Sequence, residues 1–163
     1  MKVFGITGWK NTGKTSLVER LVANFTARGL VVSTVKHAHH NFDVDQEGRD
    51  SYRHRESGAR EVLLCSGTRW ALMHELRDAP EPPLRELLTK LSPVDLVLVE
   101  GFKTQDHAKL ECHRCETGKA LLAPNDPTIV AVASDATPDV ACPLLDLDDT
   151  DGIAGFILGK VGL

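Results

Sequence analysis

Between a short apolar run and an amphipathic stretch, the sequence carries Gly8-Trp9-Lys10-Asn11-Thr12-Gly13-Lys14-Thr15. Two glycines separated by four residues, followed at once by lysine and threonine, make the pattern G-x-x-x-x-G-K-[ST]. The glycines reach backbone conformations in which successive N–H groups point inward at phosphate oxygens. The start of a helix adds its unpaired donors and the positive end of its dipole. Lys14 supplies a mobile cation for β- and γ-phosphates, and Thr15 a hydroxyl small enough to sit on Mg²⁺. The chemistry is that of a loop binding a purine nucleoside triphosphate with its magnesium. The alternative is a glycine-rich turn with a surface lysine, and the flanking strand and helix patterns, which are independent of the motif, argue against it.

Such a loop works with an acid at the carboxyl end of a central strand. Val94-Asp95-Leu96-Val97-Leu98-Val99-Glu100-Gly101 offers two. Asp95 opens the strand, at the end opposite the ligand crevice of an open α/β sheet, and reads as a solvated strand-start residue. Glu100 leaves the strand beside the phosphates and is the expected magnesium acid, with Gly101 permitting close backbone approach to the γ-phosphate. A second acid is expected from the loop after the second strand, where Asp43 and Asp45 both qualify. His37, His39 and His40 are expected to meet phosphate or a partner's substrate rather than a metal.

These residues need elements to hold them. Lys2 to Thr7 reads as a buried strand, and Leu17, Val18, Leu21, Val22 and Phe25 recur at three- and four-residue steps, predicting a helix that ends near Arg28-Gly29. Leu30 to Val35 is a second strand, so the first two strands are parallel neighbours across a right-handed crossover. Further on, the pattern predicts helices over 48–58, 79–91 and 151–160, and strands over 94–99, 128–133 and 144–147. Glu61 to Cys65 and Thr68 to His74 form a predicted hairpin about Ser66-Gly67. A second hairpin is predicted from Lys109 to His113 and Ala120 to Leu122, about Glu116-Thr117-Gly118, and serves as a dimerisation edge. The expected class is α/β, a mostly parallel helix-covered sheet with an added antiparallel hairpin, in a single domain over 1–163.

Composition narrows the function classes. An apolar share of 42% and a charged share of 26% are ordinary for a soluble domain, and a formal net charge of −4 gives no global attraction to nucleic acid or acidic membranes. No run of residues is apolar enough to span a bilayer and the start lacks a secretory pattern, so a cytoplasmic protein is expected. Cys112 and Cys115 have the spacing of a metal half-site without a second pair of ligands, and read as thiols in a reducing compartment.

Five segments carry a resemblance across nearly the whole chain: GWKNTGKTSL, VKHAHHNFDVDQEGRDSYRHRESGA, RWALM, LVLVEGFK and VAVASD. With them the chain resembles the molybdopterin-guanine dinucleotide biosynthesis protein B (MobB) family of P-loop NTPases. The resemblance implies a GTP-binding protein with slow intrinsic GTPase activity, usually a homodimer. It would assist a molybdenum cofactor guanylyltransferase of the MobA type, to which the nucleotidyl transfer itself belongs. By motif position Gly8, Asn11, Thr12, Gly13, Lys14, Thr15 and Ser16 would hold phosphates, Thr15 and Glu100 the Mg²⁺, and Asp45 a further position in its shell. Lys14 and Glu100 are the residues expected to serve any hydrolysis.

The chain departs from regulatory GTPases in lacking Asn-Lys-x-Asp, so guanine must be read elsewhere. Asp135, leaving a strand at the same edge, is the candidate, because a carboxylate accepts from guanine N1–H and N2–H together. The competing function is a small-molecule kinase or ATP-dependent ligase of the dethiobiotin synthetase-like type, with His37, His39, His40 and Arg49-Asp50 binding the acceptor. A pure interaction module, in which nucleotide only stabilises the dimer, is the third.

Overall fold

The computed structural model describes residues 1–38 and 42–163. In chain order the elements are β1 (Lys2–Thr7), α1 (Lys14–Ala27), β2 (Val32–Lys36), α2 (Asp50–Glu56), β3 (Glu61–Cys65) and β4 (Trp70–His74). They continue with α3 (Leu84–Leu88), β5 (Leu96–Glu100), β6 (Lys109–His113), β7 (Ile129–Ser134), β8 (Leu144–Asp146) and α4 (Thr150–Val161). Contacts fall into two compact units, 1–37 with 88–163, and 38–87.

In the first unit six strands form one sheet in the order β2-β5-β1-β6-β7-β8, with every pairing parallel. Parallel strands are buried on both faces, and β5 reads as an unbroken apolar run for that reason. On one face Phe4, Ile6, Leu98, Leu110 and Ala131 pack against Leu17, Leu21 and Phe25 of α1 and Ile153 and Ile157 of α4. The four-residue spacing of Leu17, Leu21 and Phe25 keeps them on one stripe of α1.

The opposite face buries Val97, Val99 and Val132, and with them Thr7, Lys109 and Glu111. Irregular chain between β6 and its neighbours covers it. His107 packs so closely on β1 that a Cβ at Gly5 would lie 2.5 Å from its Nε2. The Glu111 carboxylate accepts from the Leu122 and Ala123 amides at 2.9 Å each, and the Lys109 ammonium donates to the Gln105 carbonyl and Thr128 Oγ1.

The hairpin expected from Lys109 to Leu122 is not formed. Both edges of β6 are taken, by β1 and β7, and the Leu122 amide is spent on Glu111 ahead of a 3₁₀ turn at Ala123–Asn125. The expected dimerisation edge there does not exist. The helix expected over 79–91 shrinks to α3, because Pro82 and Pro83 precede it and a proline also disfavours helix in the residue before it.

The second unit contains α2 and the antiparallel pair β3–β4, in register from Glu61↔His74 to Cys65↔Trp70. This hairpin is the added antiparallel element that the sequence predicts. Arg55 on α2 holds Asp43 at 2.9 Å and Asp45 at 3.1 Å, and lies 5.0 Å from the Tyr52 ring centroid. On one face of the hairpin Leu63, Leu72 and Trp70 are 63%, 48% and 64% exposed.

Candidate functional site

The loop between β1 and α1 is shaped by its glycines. Gly8 has φ of 137°, and a Cβ there would stand 2.4 Å from the Cys112 carbonyl oxygen, so no other residue fits. Asn11 and Gly13 also adopt positive φ, 66° and 88°, and Gly13 caps α1. Thr12 is buried and donates to the Trp9 carbonyl at 2.9 Å. Lys14 Nζ donates to the same carbonyl, and burial pulls its pKa below the ordinary lysine value, opposed by the Glu100 carboxylate. Trp9 is itself anchored, its Nε1–H on the Ala120 carbonyl at 2.7 Å and Lys103 Nζ 4.6 Å from its ring centroid. Thr15 and Ser16 follow in the first turn of α1.

The parallel register of β1, β5 and β2 brings three carboxyl ends together beside this loop, with Ile6↔Glu100 and Lys36↔Glu100 as partners. Thr15 Oγ1 donates to Glu100 Oε1 at 3.0 Å. Gly101, at φ 92°, lies so close to His37 that a Cβ would meet the His37 Cβ at 2.9 Å. Asp95, at the far end of β5, accepts from the Val31 amide at 2.8 Å and so serves the start of β2.

Two cations that the motifs did not name stand at the same edge. Lys36 Nζ lies 3.4 Å from Glu100 Oε1 and 3.3 Å from Thr15 Oγ1. Arg114 leaves β6 beside the loop, its Nε 3.4 Å from where a Gly13 Cβ would be. The signal for both was position: each follows or ends a strand at the carboxyl edge already used to select Glu100. Arg114 lies inside the Cys112-to-Cys115 spacing, whose cysteines read as thiols; Cys112 is buried, its thiol pushed up to about 12 by burial, and Cys115 is exposed.

Asp135 follows β7 at this edge, with Oδ1 accepting from the Cys115 amide at 2.9 Å and Oδ2 3.6 Å from Arg114 Nη1. Asp45 belongs to the second unit, where Arg55 takes its almost wholly buried carboxylate. Of the expected histidines, His37 follows β2, while His39 and His40 lie outside the described residues. Among the described residues no group of three or more His, Cys, Asp or Glu is placed to hold a metal, and no helix is long and apolar enough to cross a membrane.

Thr15 and Glu100 fit a magnesium ion in donor type, a hydroxyl and a carboxylate oxygen at hydrogen-bond distance, because hard Mg²⁺ takes oxygen ligands and keeps several waters. A groove of about 470 Å³ between α1 and β2 opens onto Thr15, Lys36 and Glu100 and leaves room for those waters.

The sequence profile of the molybdopterin guanine dinucleotide synthesis protein B family, MobB, matches residues 3–135. The chain belongs to the MobB family. Curated MobB relatives include the molybdopterin-guanine dinucleotide biosynthesis adapter protein of Escherichia coli K12, 38% identical over 96% of this chain and 91% of that protein. The adapter protein of the same name from Haemophilus influenzae Rd is 40% identical over 95% and 86%. Among solved structures, a MobB protein homologue from Bacillus stearothermophilus superposes with a TM-score of 0.73 at 27% identity, covering 99% of both chains. A crystal structure of molybdopterin-guanine biosynthesis protein B gives 0.74 at 26% identity, over 97% and 99%. The MobB fold, a mostly parallel sheet of the P-loop NTPase kind with a separate antiparallel hairpin, is thus shared along the whole chain.

Proposed function

We propose that this chain is an adapter of molybdopterin guanine dinucleotide biosynthesis that binds GTP with Mg²⁺ at Gly8–Thr15 and assists a guanylyltransferase of the MobA type. The observation that carries the reading is the Thr15–Glu100 contact of 3.0 Å at the head of α1, directly after a loop whose glycines admit no side chain at Gly8. Backbone amides of Asn11 to Ser16 would cradle the phosphates, and Lys14 would leave the Trp9 carbonyl for the β- and γ-oxygens. Bound Mg²⁺ would supply charge neutralisation of the triphosphate, seated by Thr15 and Glu100, with Gly101 giving room for the γ-phosphate. Asp135 is the proposed guanine reader; it would have to exchange its present partners for the base. Turnover is expected to be slow, as the family resemblance implies. The protein would act in the cytoplasm as a homodimer.

Calorimetric titration of GTP and ATP, each with and without Mg²⁺, tests the reading. Lys14→Ala is expected to weaken triphosphate binding by about tenfold or more, the loss of a charge-assisted phosphate contact. Unchanged binding by the folded variant would sink it. Asp135→Asn should cost GTP more than ATP, and equal losses would remove Asp135 from base reading. Fast multiple turnover on a small acceptor alone would favour the kinase-type activity instead.

A further inference from the structure

Lys36 ends β2, and its ammonium touches the two oxygens assigned above to the magnesium seat. The three atoms form a closed triangle: Nζ to Glu100 Oε1 3.4 Å, Nζ to Thr15 Oγ1 3.3 Å, and Oγ1 to Oε1 3.0 Å. Only 12% of the Glu100 side chain is exposed, and a carboxylate so withdrawn from water needs a positive partner. Lys14, in the loop itself, directs its Nζ to the Trp9 carbonyl. Among the described residues, the ion pair with Glu100 is made by Lys36.

An ammonium and a divalent ion cannot both lie against one carboxylate oxygen without strong mutual repulsion. The Lys36 side chain is 56% exposed on the rim of the groove, and its unbranched stem allows the ammonium to move while β2 stays in the sheet. We propose that Lys36 is a built-in counter-ion of the magnesium seat. It neutralises Glu100 and holds it against Thr15, gives way when a divalent cation arrives, and then pairs with the terminal phosphate of the nucleotide. The proposal rests on Thr15 and Glu100 being the magnesium seat. It makes Lys36 a residue whose effect changes sign: it opposes metal binding to the protein alone and favours binding of the metal–nucleotide complex.

The experiment has two arms, run on the whole chain with Lys36→Met and the charge-keeping Lys36→Arg. In the first, Mn²⁺ is titrated into protein without nucleotide and free Mn²⁺ is followed by electron paramagnetic resonance. Lys36→Met should bind Mn²⁺ about fivefold more tightly than the natural chain, the factor expected for losing one partly exposed ion pair, while Lys36→Arg should stay near the natural value. In the second, GTP with Mg²⁺ is titrated by calorimetry, and Lys36→Met should bind more weakly by about the same factor. Mn²⁺ affinity in Lys36→Met equal to or below the natural chain, including none measurable in either, overturns the proposal. Tighter metal with unchanged or tighter nucleotide overturns its phosphate half. If the natural chain binds no GTP, the nucleotide function fails, yet the first arm still reads the competition at Glu100. Thermal unfolding of each variant checks that β2 is intact.

Discussion

A histidine that the motifs passed over has a measurable pH signature. Neither ring nitrogen of His107 has a hydrogen-bond partner among the described residues, and burial, then the neighbouring Lys109, pulls its pKa from 6.5 to about 4. The unfolded chain thus binds more protons than the folded one between these values, so stability rises with pH across that window. The contribution is complete above about pH 6.5 and is lost as the pH falls towards 4. Urea denaturation should give a lower midpoint at pH 5 than at pH 7, and His107→Leu should narrow that gap; an unchanged gap would mean other groups set it. At this scale the sequence was legible where residue type alone decides, as at Gly8, whose positive φ and approach to the Cys112 carbonyl admit no side chain. It was silent on Lys36 and Arg114, because a lysine or arginine at a strand end is ordinary until neighbouring strands bring it against a carboxylate or a glycine.

Among the elements, β6 shows where pattern reading stops. Lys-Leu-Glu-Cys-His alternates polar and apolar residues, the signature of a strand with one face in water, yet Lys109 and Glu111 are 1% and 0% exposed. Chain over 102–108 and 114–128 covers that face, and the partners it gives Lys109 and Glu111, Gln105, Thr128, Leu122 and Ala123, sit at positions that no periodicity encodes. The same blindness produced the hairpin about Gly118. Glu111→Ala should leave the Leu122 and Ala123 amides without their acceptor and cost about 1–3 kcal/mol, read as a lower urea midpoint; a cost below about 0.5 kcal/mol would mean water replaces the carboxylate freely. Gly8→Ala should cost stability as well as binding, read as a lower urea midpoint, since the added carbon would lie 2.4 Å from the backbone carbonyl oxygen of Cys112 and φ there is 137°. The elements that were read well are β1 and β5, whose burial shows as a continuous apolar run, and α1 and α4, whose buried residues recur at helical steps.

For the whole molecule, the homodimer proposed above needs a surface other than a 109–122 hairpin, and among the described residues β3–β4 exposes an apolar face. Leu63 and Leu72 are direct cross-strand partners and, with Trp70, are exposed on one face. Sedimentation velocity should find a dimer at micromolar concentration, and Leu63→Ser with Leu72→Ser should shift it towards monomer; a natural chain that is monomeric would end the homodimer expectation. The sheet order has one more consequence. The strand that feeds the phosphate loop is synthesised first, but it lies between β5 and β6, and the register partner of Lys2 is Leu96. At ribosomal speeds the nascent strand waits about 5–20 s for its neighbours. During that interval an apolar segment stands unpaired outside the exit tunnel, so overproduced protein should partition between soluble and aggregated fractions according to growth temperature and chaperone supply.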